Sequence, residues 1–349
     1  IQKMKPSVND YFGVTPNHYN YAGPAGWKHF HLLLSILIDN VNSTDITEIN
    51  IIYAVILFKG HGKDKQSARS YRTISTCPVI SKALDLYIRD LHISDWNKNQ
   101  AECQFQGEGS SHDLAAVLVT ECIQHSLHHL KSPLYVLYLD AKSAFDVVMK
   151  ELLIKNLYHS GTSGEALLYL NNRLGNRQTI LDWDGQLMGP ISDEQGVEQG
   201  GVNSSDFYKV FGKEQLATAQ ASALGVSLGP LTVGGVGLAD DTALLANNIH
   251  ALLYLLHLTS VFCSKYHVNL CSEKTKLQVY QTKNMNLQVD YAKNTVPVKI
   301  NDESIDFSDD AEHVGMVRSV SGNIEATLQQ VSMFMKSMLA QSSSQALLL

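Results

Sequence analysis

Two stretches carry carboxylates where a carboxylate is expensive. Leu134-Tyr-Val-Leu-Tyr-Leu139 is apolar throughout and ends on Asp140. A charge there must be solvated, paired or bound to a metal, because burying it bare costs far more than any hydrogen bond returns. The second stretch is Ala239-Asp240-Asp241, set between the strand-like runs 231–238 and 242–246. Two carboxylates on a rigid hairpin, joined by a third from a neighbouring strand, make a hard-oxygen cage for Mg²⁺. Two such ions roughly 3.5–4 Å apart can activate a hydroxyl nucleophile and stabilise a leaving pyrophosphate. Phosphoryl transfer asks mainly for positioning and charge neutralisation, which this arrangement could supply. A blander reading stands beside it: Asp140 as the N-cap of a following helix. Asp309-Asp310, in a polar stretch, reads as a solvated turn.

Other candidate groups are weaker. His125 and His129 have the i, i+4 spacing of metal ligands, but no third ligand is in sight. The five cysteines are odd in number and none forms a CxxC pair, which excludes a disulfide framework and a zinc ribbon and suits a reducing, intracellular setting. The net charge of −7 argues against a protein that binds nucleic acid over its whole surface. Its local distribution answers that objection. Between residues 59 and 72, Lys59, Lys63, Lys65, Arg69 and Arg72 stand against Asp64 alone. Such a loop is either a solvated basic loop or a clamp for a triphosphate, with bidentate Arg72 the best single candidate.

These residues need elements to hold them. Helical spacing predicts a helix over 26–41, another over 114–130, and two more over 145–158 and 164–174. Ser43-Thr44-Asp45 signals a cap for a short helix after it. Residues 51–58 have strand character, 134–139 reads as a central buried strand, and Asp184-Gly185 joins 177–183 to 186–191 as a hairpin. Residues 249–263 read as a buried helix, shorter than the roughly 20 residues of a bilayer span. An extended lead-in over 1–24, a polar excursion over 281–297 and a last helix over 323–338 complete the pattern. Strands, helices and antiparallel hairpins together indicate an α+β fold, in which Asp140 and Asp240 meet only if their strands are neighbours.

The motifs also carry a family resemblance. The stretch from Leu134 through Asp140-Ala-Lys-Ser-Ala-Phe145-Asp146 resembles polymerase motif A of non-LTR retrotransposon reverse transcriptases. Gly196-Val-Glu-Gln199-Gly200-Gly201 is similar to their motif B, and Gly237-Leu-Ala-Asp240-Asp241-Thr242 to their motif C. Val268-Asn269 through Lys274-Thr275-Lys276 resembles motif D, and Ala311-Glu312-His313-Val314-Gly315 motif E. Leu57-Phe-Lys59-Gly-His-Gly-Lys63-Asp and Ser70-Tyr71-Arg72-Thr-Ile74-Ser75 look like the fingers motifs. Each is short, but their order and spacing agree over roughly residues 26–340.

The resemblance implies a right-hand polymerase fold: a palm with an antiparallel sheet and helices, fingers, and an incomplete thumb. It divides the chain into a lead-in and helical extension (1–50), part of the fingers (51–132), a palm with inserted fingers elements (133–305), and the end of the palm with the start of a thumb (306–349). It implies an RNA-directed DNA polymerase of a retroelement, using two Mg²⁺ ions, with Mn²⁺ as a substitute, on an RNA template, a DNA primer and dNTPs. Asp140, Asp240 and Asp241 would hold the metals. Lys59, Lys63, Arg72, Ala141, Phe145, Gln199, Gly200 and Lys274 would contact substrate. Phe145 would wall off a ribonucleotide 2′-hydroxyl, or else be a core aromatic on a helix; Lys274 would approach the pyrophosphate, or else be a solvated lysine. The setting implied is cytoplasmic or nuclear, without a membrane; no targeting segment is visible, and the chain is expected to be a fragment.

Two departures stand out. The family's Gly-Phe-Arg run is replaced by Gln104-Phe-Gln106-Gly107, which puts template contact by the fingers in doubt. Asn203-Ser204-Ser205 stands where the family has Ser-Pro after motif B. Two rivals remain. A viral-type RNA-dependent RNA polymerase would use Asp146 on the ribose, but Phe145 occupies that gate. A decayed element that binds nucleic acid without catalysis is favoured by the acidic balance and opposed by the intact carboxylates.

Overall fold

A computed structural model describes residues 4–5, 9–41, 47–60, 64–105 and 112–320. The expected cap at 43–45, Lys63 and the helix at 323–338 lie outside these residues. The chain forms two compact units, residues 1–100 with 143–211, and residues 101–142 with 212–349.

The first unit is built on a four-stranded sheet. Ile51–Phe58 pairs antiparallel with Tyr71–Thr76 and parallel with Gln178–Trp183, which pairs antiparallel with Gln186–Ser192. Asp184 and Gly185 turn the last hairpin with φ of 51° and 83°, the double left-handed turn that matches strand twist. Helix Val79–Lys98 buries Val79, Ala83, Leu84, Ile88 and Trp96, and the Trp96 indole donates to Thr162 Oγ1 at 2.8 Å. Sequence reading passed over this helix, although Val79, Ala83/Leu84 and Ile88 repeat at helical spacing just after Pro78. Interleaved Lys82, Asp85 and Asp90 obscured the stripe.

Three expectations for this unit need correction. The lead-in contains helix Pro16–Asn20, started by Pro16 in its first turn and by the Thr15 amide donating to His18 Nδ1 at 2.9 Å. The next helix begins at Gly23 and runs to Asp39. The helix expected from 145 begins only at Lys150, because the Asp146 and Val147 amides both turn back to the Ser143 carbonyl. Phe145 therefore sits in a turn, and the reading of it as a helical core aromatic fails.

The second unit holds an all-antiparallel sheet in the order Lys276–Tyr280, Leu134–Leu139, Asp241–Ala246, Gly235–Leu238. Every residue of Leu134–Leu139 is buried. Alternation sends Leu134, Val136 and Tyr138 to one face, against Ala115, Ala116, Val119, Cys122 and Ile123 of helix His112–His128. The opposite face meets helix Ile249–Tyr266. Cover on both faces is the reason the strand reads as unbroken apolar residues.

Here too the structure departs from expectation. The run 231–238 splits at Gly234: Leu231–Val233 pairs with Val226–Leu228, and only Gly235–Leu238 joins the sheet. The polar stretch 281–297 contains helix Asn286–Thr295, which buries Val289 and Ala292. Asp310 opens the strand Asp310–His313 of a second hairpin closed by Met316–Ser319, so it is exposed but not in a turn. All five cysteines are buried and free. Among the described residues no helix is long and apolar enough to cross a membrane.

Candidate active site

Antiparallel register assembles the carboxylates. Thr242 pairs with Leu139, so Asp241 and Asp140 lie side by side at the end of two neighbouring strands. Leu238 pairs with Asp241, leaving Ala239 and Asp240 as a two-residue loop at the tip. Ala239 adopts φ of 53°, a position that glycine fills more easily; local strain at a hairpin carrying two carboxylates is common at functional sites. Asp140 is no helix cap: Ala141–Lys142 continues as a strand paired with Asn269–Leu270. The Cys271 amide donates to the Asp140 carbonyl at 2.8 Å, tying the motif D segment to the same strand end.

The electrostatics are those of an unneutralised anionic cluster. Asp240 and Asp241 reach solvent, yet the sheet end removes much of their hydration. That loss of water, then Asp240, Asp140 and Glu312, push the Asp241 carboxyl up to about 6 against a hydrogen bond from the Val314 amide. Asp240 is raised as well, by loss of hydration first and by Asp140 after it. Lys274 answers this charge directly, its Nζ 3.2 and 3.3 Å from the two Asp140 oxygens. The donor set, oxygens only, suits Mg²⁺. As they stand, no three His, Cys, Asp or Glu side chains among the described residues are gathered closely enough to enclose an ion.

The remaining expected residues fall into two sets. Ala141 lies beside Asp140, paired with Leu270. Lys59, Arg72, Phe145, Gln199 and Gly200 belong to the first unit. There the Ser75 amide donates to the Gln199 carbonyl at 3.2 Å, so the strand bearing Arg72 touches the loop bearing Gln199 and Gly200. The same loop meets the Phe145 turn, through Val197 N–H to the Phe145 carbonyl and Gly196 N–H to the Val148 carbonyl, both 2.8 Å. Gly196 has φ of 87°, and a Cβ there would lie 2.9 Å from the Asp146 carbonyl oxygen, so only glycine fits. Phe145 packs on Tyr208 with ring centroids 5.2 Å apart. Arg72 and Gln199 are exposed.

The family model for reverse transcriptase (RNA-dependent DNA polymerase) matches residues 63–303. The chain belongs to the reverse transcriptase family. A 206-residue stretch is 25% identical to the retrovirus-related Pol polyprotein of the type-2 retrotransposable element R2DM of Drosophila melanogaster, in agreement with the non-LTR resemblance. That match takes in 59% of this chain and 19% of the relative. Among solved structures, apo telomerase from Candida tropicalis aligns with a TM-score of 0.53 and 11% identity, over 85% of this chain and 52% of that one. Telomerase of the same organism in complex with a fragment of telomeric RNA aligns with a TM-score of 0.51 and 12% identity, over 74% of this chain and 45% of that one. This reverse transcriptase chain thus has the α+β right-hand polymerase fold, and it spans about a fifth of its curated relative.

Sequence reading of the reverse transcriptase site missed Glu312 and the Val314 amide, which act on Asp241 from the Asp310–His313 hairpin. Their signal was present in the motif E resemblance, which named the segment but assigned it no role. Glu198 and Arg173 were missed as well. Nothing in either one's spacing reveals that they meet.

Proposed function

We propose that this chain is the polymerase core of a retroelement's RNA-directed DNA polymerase, adding dNTPs to the 3′-hydroxyl of a DNA primer on an RNA template. The observation that carries the reading is the strand register that sets Asp140 beside Asp241 under the Asp240 tip. Asp140, Asp240 and Asp241 would hold two Mg²⁺ ions, or Mn²⁺ in their place. When bound, the ions supply activation of the primer hydroxyl and neutralisation of charge on the departing pyrophosphate.

The chain's own residues would do the rest. Lys274, whose Nζ lies 3.2 Å from Asp140 Oδ1, would approach the pyrophosphate. Arg72 and Lys59, exposed on adjoining strand ends, present charge to a triphosphate. Phe145, fixed in its turn and backed by Tyr208, offers a flat wall to a sugar. Gln199 and Gly200 border the nucleotide from an exposed loop. Extension of a DNA primer on a defined RNA template tests the reading, with the Asp240→Asn variant and Ca²⁺ in place of Mg²⁺ as controls. Extension by the wild type alone, and only with Mg²⁺ or Mn²⁺, is the expected result. The non-catalytic alternative, favoured by Gln104-Phe-Gln106 in place of the family's arginine run, predicts template binding with no extension in any lane.

A further inference from the structure

Beneath the Gln199 loop lies a buried set of charges that none of the roles above uses. Glu198 immediately precedes Gln199, and its two oxygens take different partners. Oε1 accepts from Arg173 Nη2 at 2.7 Å, and Oε2 accepts from the Cys77 thiol at 2.9 Å. The Arg173 and Glu198 side chains are 3% and 9% exposed. Asp85 Oδ2 lies 4.0 Å from Arg173 Nε and Asp85 Oδ1 accepts from the Tyr169 hydroxyl at 3.2 Å. Burial and then the Glu198 charge hold the Cys77 thiol well above its ordinary range, so it remains a hydrogen donor.

The geography gives the cluster its meaning. Cys77 comes two residues after Ser75, whose amide bonds the Gln199 carbonyl. Ser75 lies one residue from the end of the Tyr71–Thr76 strand that carries Arg72. A lone backbone bond between an exposed loop and a strand end would open readily. A carboxylate fixed at both oxygens would not. A buried ion pair of this kind adds little stability over apolar packing of the same volume, so geometry is what it has to offer.

We propose that Arg173, Glu198 and Cys77 form a buried clamp that locks the Arg72 strand to the Gln199–Gly200 loop, making Arg173 and Glu198 positioning residues for the incoming triphosphate. The nucleotide role rests on the polymerase reading; the clamp itself does not. With the clamp intact, the two elements present their side chains at a fixed separation, and the ordering cost is met before the nucleotide arrives.

Three variants of the full chain test this: Glu198→Gln, Cys77→Ala, and the volume-conserving double Arg173→Met/Glu198→Met. Primer extension gives KM and kcat for dNTP, and amide hydrogen exchange follows segments 71–77 and 193–203. Glu198→Gln is expected to raise KM for dNTP roughly tenfold, the lower end for one charge-assisted hydrogen bond, with kcat little changed. Both segments should exchange faster and together. Cys77→Ala should act in the same direction and more weakly, and it serves if Glu198→Gln folds poorly. The double variant should melt near the wild type while KM stays raised. Recovery of wild-type KM along with the melting temperature would reduce the cluster to fold support, and acceleration of one segment without the other would show that no clamp exists. A wild type that extends no primer overturns the nucleotide role through the polymerase reading. Exchange, which needs no activity, still decides the clamp.

Discussion

At the end of the Leu134–Leu139 strand Asp140, Asp240 and Asp241 lie near one another with Lys274 in contact with Asp140, whereas under the Gln199 loop Asp193 and Glu198 are each held by two partners. Asp193 is bound by Arg177 Nε at 2.7 Å and by Thr179 Oγ1 at 2.6 Å, and Glu198 is held by Arg173 and Cys77. Asp85 is pushed up to about 7 by burial, against the pull of Arg173. The carboxylates of Asp193 and Glu198 are thus paired from within the protein. Those at the sheet end are less well paired, and carboxyls raised in this way cluster at functional sites.

The largest effect should come from removing leftover charge. Asp240→Asn is expected to lower primer extension by about three orders of magnitude or more, since metal-assisted charge stabilisation is worth several kcal/mol and each 1.36 kcal/mol is tenfold. In metal-free buffer the same variant should melt higher than the wild type, because Asp240 and Asp241 then repel less. An equivalent loss made in the satisfied region has the opposite signature: Glu198→Gln should melt lower. Equal melting shifts in both variants would erase the contrast.

Next comes Arg72, which sits at the rim of the satisfied region and is itself exposed. Arg72→Ala should cost roughly 1.5–3 kcal/mol in kcat/KM for nucleotide, about one to two orders of magnitude. Primer–template affinity should change far less, because that grip is spread over many phosphates. The reverse pattern would move Arg72 to the nucleic-acid track. Phe145→Ala should keep deoxynucleotide use and admit ribonucleotides; matched incorporation of the two sugars measures it, and unchanged discrimination would make Phe145 a packing partner of Tyr208 alone.

The two regions were unequally visible in the sequence, for a physical reason. An aspartate closing a six-residue apolar strand violates a local rule, so Asp140 announces itself, and the Ala239-Asp240-Asp241 hairpin does likewise. Register did the rest once the strands were neighbours. The Glu198 clamp joins residues from 77, 173 and 198, each unremarkable among its sequence neighbours, and only the fold makes them meet. The same holds for helix Val79–Lys98, whose stripe is broken by Asp85, buried because Tyr169 and Arg173 wait for it. Phe145 was misplaced on a helix because its spacing fits one. The Ser143 turn, with φ of 50° at Ser143, overrides that spacing.

pH separates the regions without mutating the loop. A carboxyl held above its unfolded value gives stability that is fully present below about 4 and is lost as pH rises through its folded value. For Asp241 that window closes near 6, and for Asp85 near 7. His313, lowered to about 4 by burial and Arg318, works with the opposite sign between about 4 and 6.5. Subtracting the melting curve of Asp241→Asn from that of the wild type, both in chelator, cancels Asp85 and His313. The difference should favour the wild type progressively as pH falls from about 6 to about 4. Saturating Mg²⁺ should flatten it by drawing the Asp241 carboxyl back down, leaving the Asp85 contribution in both proteins. A difference that ignores Mg²⁺ would mean that the leftover charge is not waiting for a cation.

Lys274 offers the smallest and most discriminating change, because there the sheet end pairs a carboxylate with a cation as the loop does. Its side chain is 66% exposed and that of Asp140 34%, so their contact should contribute under about 1 kcal/mol to stability. What it does to metal and to rate differs in sign. An ammonium on both Asp140 oxygens competes with an incoming cation, so Lys274→Ala should lower the Mg²⁺ concentration for half-maximal extension by a few-fold. If the ammonium then moves to the departing pyrophosphate, the same variant should lose kcat at saturating Mg²⁺, by roughly tenfold for one charge-assisted contact. Tighter Mg²⁺ with lower kcat identifies a lysine that stands in for the metal and later helps the leaving group. Tighter Mg²⁺ with unchanged kcat leaves it a placeholder, and no change in either returns it to solvent.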